Sequence, residues 1–221
     1  MNNLKMVRPW TNKFYTLGEE IFSSVAHGVG TILAVSGASV LMTFAGLSRD
    51  PWAIVACAIY GLCLIILYTM STLYHSFTNE KVKALFRIFD HSSIFLLIAG
   101  TYTPFTLVTL HGAVGWALFV IIWGTAVLGI VMKAVNLEKF KKFSLICYLG
   151  MGWAVIFAFR PLLANMPSNG LILLGLGGFF YTTGIIFYKM KKLKYAHSIW
   201  HLFVLAGSIM HYFCILFFVA L

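Results

Sequence analysis

The feature that most constrains this chain is a succession of seven apolar runs, each about as long as a bilayer is thick. An α-helix rises about 1.5 Å per residue, so roughly 20 apolar residues cross the hydrocarbon core. Runs of that kind cover residues 21–46, 52–75, 88–110, 113–133, 143–161, 169–188 and 196–220. The third break, at His111-Gly112, is the weakest, because almost nothing polar separates its neighbours. The runs are too long, and too free of alternation, for barrel strands. They predict an all-α membrane protein, a seven-transmembrane helix bundle. Composition agrees: 61% of residues are hydrophobic and 10% charged, whereas a soluble domain is about half apolar and a quarter charged. With no polar stretch long enough to fold by itself, residues 19–221 read as one seven-helix domain. A cytoplasmic N-terminal segment, 1–18, precedes it.

The net charge of +10 would suggest nucleic acid in a soluble protein. Here the cations fall in short breaks between apolar runs, where they orient helices, so nucleic acid is excluded as a partner. Lys5, Arg8 and Lys13 precede the first run. Lys81, Lys83 and Arg87 follow the second, and Lys133, Lys139, Lys141 and Lys142 follow the fourth. Lys189, Lys191, Lys192 and Lys194 follow the sixth. Fourteen of the sixteen cations thus lie on one side, leaving Arg49 and Arg160 on the other. The N-terminus is therefore cytoplasmic and the C-terminus outside. Residues 1–18 lack the apolar core of a cleavable signal, so the first membrane helix does the targeting. Cys57, Cys63, Cys147 and Cys214 sit inside apolar runs without CxxC spacing and read as buried packing residues.

This topology gathers polar residues at the cytoplasmic face. His75 ends the second run, Asp90 begins the third, and His197 and His201 begin the seventh. Residues four apart share a helix face, so the last two imidazoles can aim at one point. Ionisable groups at membrane depth are costly and usually face the bundle interior with a partner. Three imidazoles with a carboxylate, or with a water held by that carboxylate, form a ligand set that zinc accepts. Ligand type alone also admits iron or manganese, though three imidazoles favour zinc.

Ser71 stands one turn deeper than His75 on the same face. Its hydroxyl can hold a metal-bound water or a substrate carbonyl, or simply bond its own helix backbone. His27 is placed to support the ligands from behind. His91, turned about 100° from Asp90, is expected to serve another contact, and His211, about 15 Å deeper than His201, cannot share the ion. His111 belongs to the outer turn. Gly28, Gly30, Gly37, Gly46, Gly175, Gly177 and Gly178 are expected to permit close helix packing. Pro104 should kink the third helix. Trp10, Trp52, Trp116 and Trp153 read as interfacial anchors. Neither a nucleotide loop, a Gly-x-Ser-x-Gly elbow nor an HExxH helix is present.

Several stretches together resemble the hemolysin III family, the bacterial branch of the progestin and adipoQ receptor family. They are Glu19-Glu20 with Ala26-His27-Gly28, then Ser71-Thr72-Leu73-Tyr74-His75. Phe89-Asp90-His91-Ser92, Gly100-Thr101-Tyr102-Thr103-Pro104 and His197-Ser198-Ile199-Trp200-His201 complete the set. The resemblance runs from about residue 15 to the end. It implies a seven-helix bundle with a cytoplasmic N-terminus in the bacterial cell (inner) membrane, and a zinc ion near the inner leaflet. His75, His197 and His201 would be its ligands, with Asp90 as a further ligand or holding the bound water, and Ser71 beside it. The wider superfamily, which includes alkaline ceramidases, looks like a set of membrane-embedded metal hydrolases of lipid amides. The chain lacks the long N-terminal region of the eukaryotic receptors, so adaptor binding there is not expected.

Three functions compete. The first is zinc-dependent hydrolysis of an acyl-lipid amide or ester near the cytoplasmic leaflet, with Asp90 and Ser71 as catalytic groups and a membrane lipid as substrate. The second is a non-catalytic receptor or lipid-homeostasis sensor with structural zinc. The third is a pore-forming cytolysin, which would need a polar stripe through the bilayer.

Overall fold

The computed structural model describes residues 15–190 and 192–221. Lys5, Arg8, Trp10, Lys13 and Lys191, and with them most of the 1–18 segment, lie outside the described residues. Seven membrane-length helices follow one another: α1 (Leu17–Ser48), α2 (Pro51–Ser76), α3 (Glu80–Pro104), α4 (Gly112–Val135), α5 (Lys141–Asn165), α6 (Ser168–Lys189) and α7 (Ala196–Ala220). No strand occurs among the described residues. Six of the seven are apolar enough to cross a membrane on composition alone; α3 carries more charge in its first turns. The chain is a multi-pass integral membrane protein.

Local chemistry sets the ends. Thr16 caps α1 through a reciprocal pair with Glu19, and Asp50 caps α2, with Pro51 at the first helical position. Such caps satisfy backbone N–H groups that have no partner within the helix. The Asn79 side chain accepts from the N–H groups of Lys81 and Val82, so α3 begins at residue 80 rather than 88. Its charged first turns thus extend the helix below the apolar run. Pro104 neither stops nor isolates α3: the chain passes into a π turn, Phe105–Thr109. The Thr101, Thr103 and Thr106 hydroxyls donate to carbonyls three or four residues back. His111 and Gly112, at φ 38° and 67°, then reverse the chain into α4.

Helix α5 is interrupted by a 3-10 segment, Ala154–Ala158. Pro161 falls in the first turn of the resumed helix, where its missing N–H is tolerated. The Tyr102 hydroxyl splices the break, donating to the Gly152 carbonyl at 3.1 Å and accepting from Val155 N–H at 2.9 Å. Trp153 therefore stands in the middle of α5, not at an end, and is not an interfacial anchor. Trp52 and Trp116 do pair near helix starts, with ring centroids 5.6 Å apart.

Aromatic rings press onto glycines where helices approach. A methyl at Gly30 would sit 2.6 Å from the Tyr68 ring, at Gly37 2.8 Å from Tyr212, and at Gly177 2.1 Å from His211. Gly46, Gly175 and Gly178 meet nothing within 4 Å, and Gly28 makes only ordinary contact. Close approach is thus confined to three of the seven expected glycines. All four cysteines are free, and Cys57, Cys63 and Cys214 are buried.

Candidate metal centre

The starts of α1, α3 and α7 meet the end of α2 at one end of the bundle. Glu19 joins α1 to α7: one carboxylate oxygen accepts from Tyr195 N–H at 2.8 Å and the other from Thr16. Tyr195 has φ 61° and directly precedes α7, so this contact fixes where that helix begins. One turn further in, the Ser23 and Ser198 hydroxyls bond at 3.0 Å. These ties hold the α7 histidines against α1 and α2.

His75, His197 and His201 converge. Their ligating nitrogens lie within 4.8 Å of one another, and all three side chains are buried. The Nε2 atoms of His197 and His75 are 3.3 Å apart, and those of His201 and His197 3.0 Å. One proton can bridge only one such pair, whereas a cation can serve all three lone pairs. This group could hold a metal ion. Asp90 is buried nearby on α3 but is not a member of the group.

Glu20 entered the sequence reading only as part of a matching stretch, and its role beside His75 was missed. Its carboxylate accepts from His75 Nδ1 at 2.7 Å and pairs with the Lys83 ammonium at 3.0 Å. An imidazole that donates Nδ1–H to a carboxylate is fixed in orientation and presents Nε2 as its lone pair. The available signal was an acid at the same membrane depth as His75, two turns before His27 on one face of α1. Tyr15, unremarked in the sequence, stacks on His197 with ring centroids 4.6 Å apart and meets His75 edge-on at 6.0 Å.

The other expected residues divide clearly. His27 stacks on His201, with centroids 3.7 Å apart and planes 17° apart, while neither of its nitrogens finds a partner. Ser71 lies beside Asp90, yet its buried hydroxyl meets no hydrogen-bond partner of good geometry. Its neighbours Thr72 and Ser76 do bond back to the α2 backbone, so the bland reading of a backbone-bonded serine fails at Ser71. His91 corrects an expectation: its ring turns back, placing Nδ1 3.2 Å from Asp90. His211 donates to the Leu174 carbonyl across α6, and His111 bonds the Leu107 carbonyl in the outer turn.

Beside the centre lies an apolar cavity of about 350 Å³, within the range of small-molecule sites. It is bounded mainly by α3 to α7, with His27 of α1 and Leu67 of α2 also on its wall. His27 and Asp90 stand on its wall at the metal-centre end, and Phe105, Leu171 and His211 stand deeper.

Residues 15–212 match the family of Haemolysin-III related proteins. The chain belongs to this family. It is 45% identical to Hemolysin-3 of Bacillus cereus over 97% of this chain and 98% of that one. It is also 45% identical to a Hemolysin-3 homolog of Bacillus subtilis, over 92% and 96%. The human Monocyte to macrophage differentiation factor is 31% identical over 90% of this chain and 84% of its own. The family match begins at Tyr15 and spans every residue of the centre.

Proposed function

We propose that this haemolysin-III family member is a zinc-dependent hydrolase of acyl-lipid amides or esters, working at the cytoplasmic leaflet. The observation that carries the reading is the spacing of the three imidazole nitrogens beside an apolar cavity that Asp90 lines. Donor atoms arranged tetrahedrally about zinc at about 2.0–2.1 Å lie about 3.3 Å from one another. Two of the three separations, 3.0 and 3.3 Å, match that figure, all three nitrogens lie within 4.8 Å of one another, and the buried all-imidazole donor set suits the ion. When bound, zinc would polarise the scissile carbonyl and lower the pKa of water at the centre.

The chain's own residues supply the rest. His75, His197 and His201 hold the ion, Glu20 orients His75, and the stacked His27 supports His201. Asp90 takes a proton from the attacking water as the carbon–oxygen bond forms, then returns it to the departing nitrogen or oxygen as the old bond breaks. The unpartnered Ser71 hydroxyl donates to the developing oxyanion. The cavity receives the acyl chain: Asp90 on α3 and Phe105, which opens the π turn continuing it, are fifteen residues apart, about 22 Å along the axis. One leaflet of a bilayer is about 15 Å deep, so a lipid tail fits that length.

The alternative, a sensor in which zinc only ties α2 to α7, is favoured by the fact that all three ligands come from those two helices. A pore, suggested by the name of the Bacillus cereus relative, is disfavoured by the apolar lining of the interior. The deciding experiment is elemental analysis of detergent-purified protein, with turnover of acyl amides and esters measured alongside. The hydrolase predicts about one zinc per chain, lost in His75→Ala and His197→Ala and kept in His211→Ala. Asp90→Asn should keep the metal and lose turnover. Zinc retained with no turnover in any variant, and Ser71→Ala without effect, would leave the sensor.

A further inference from the structure

We infer that Lys133 is the charge-reading element of the cavity: it binds the oxyanion head of an amphiphile whose hydrocarbon tail lies between α3 and α7. This rests on the reading that the cavity receives an acyl chain, and not on turnover. By sequence Lys133 belongs with the cations of the break after the fourth run. The structure instead directs it inward from the last turn of α4, where it is 2% exposed. Among the described residues its ammonium makes no ion pair and no hydrogen bond.

The nearby acids are already engaged. Glu138 is paired with Arg87, and Asp90 faces His91. Lys133 nevertheless stands on the cavity wall, with Lys141 on the same wall at the start of α5. An uncompensated cation is costly to bury, and such groups persist where a partner of opposite charge completes them. The remaining wall is overwhelmingly apolar, so the completing partner is an anion attached to a hydrocarbon. A carboxylate or a phosphate supplies that chemistry. The first would be a released fatty acid, the second the headgroup of an intact lipid.

Three single-chain probes of equal tail length separate the possibilities: palmitate, hexadecyl phosphate and hexadecanol. Each is titrated against full-length, detergent-purified protein by native mass spectrometry, for wild type, Lys133→Met and Lys133→Arg. A charge-assisted contact predicts that wild type binds at least one anion about tenfold or more tightly than hexadecanol. Lys133→Met should bring both anions to the level of hexadecanol without changing hexadecanol itself, and Lys133→Arg should keep the preference. Removing an unpaired buried charge is not expected to unfold the chain, which thermal melting and metal content of the variant check directly. Tighter palmitate assigns the site to the released acid, and tighter hexadecyl phosphate assigns it to the headgroup. Equal binding of all three by wild type, or a preference that survives in Lys133→Met, overturns the inference. Binding of none overturns the acyl-chain reading with it.

Discussion

Glu20 shows how a single carboxylate can orient a histidine group of which it is not itself a member. It sits between His75 and Lys83, so one oxygen fixes the imidazole while the other is held by an ammonium. Removing such a partner typically lowers metal affinity about 10- to 100-fold. Glu20→Ala should show that loss in competition with a chromophoric chelator; unchanged affinity would mean that helix packing alone orients His75. Neighbouring residues explain what the sequence could and could not disclose. His75, His197 and His201 were legible because helix periodicity and the alternation of membrane sides place them at one depth. The position of Asp90 relative to them was not, since it depends on how α3 rotates about its axis. His91 was misjudged, and the choice between the two readings of Ser71 was left open, for a related reason. Periodicity sets where a Cβ points, but the final torsions let His91 turn back toward Asp90 and leave Ser71 unbonded.

The helices owe their close approach to rings lying on glycine, and this gives a paired test. Gly177→Ala would place a methyl 2.1 Å from His211, and overpacking of this kind costs about 1–3 kcal/mol. Gly46→Ala meets nothing within 4 Å and removes a flexible residue from a helix interior, a gain of about 0.5–1 kcal/mol. Thermal melting in one detergent should move in opposite directions for the two variants. A glycine count cannot separate them, because the distinction depends on which face meets a neighbour. The existence of the seven helices was plain from apolar run length. Their irregularities were not: the π turn after Pro104 carries local threonine bonds to carbonyls three or four residues back, and the 3-10 break in α5 is spliced by the Tyr102 hydroxyl reaching across from α3.

At the scale of the whole molecule, the centre links α2 to α7, while Glu19 and Ser23 tie α1 to the start of the same last helix. Any ion bound there and absent from the unfolded chain stabilises the fold by mass action, about 2.7 kcal/mol at a free concentration one hundred times Kd. Stripping the metal with a chelator should therefore lower Tm, and adding it back should restore Tm in a concentration-dependent manner. A Tm indifferent to metal in the wild type would argue that the three imidazoles are held by packing alone. The order of the helices in the chain carries a further consequence, for biosynthesis. His75 leaves the ribosome 122 residues ahead of its partner His197, and α7 follows the other six described helices. Until then the early helices have half a docking surface, and Glu19 and Ser23 wait for a partner not yet made. A chain stalled before residue 196 lacks two of the three imidazoles, so the group cannot assemble on it.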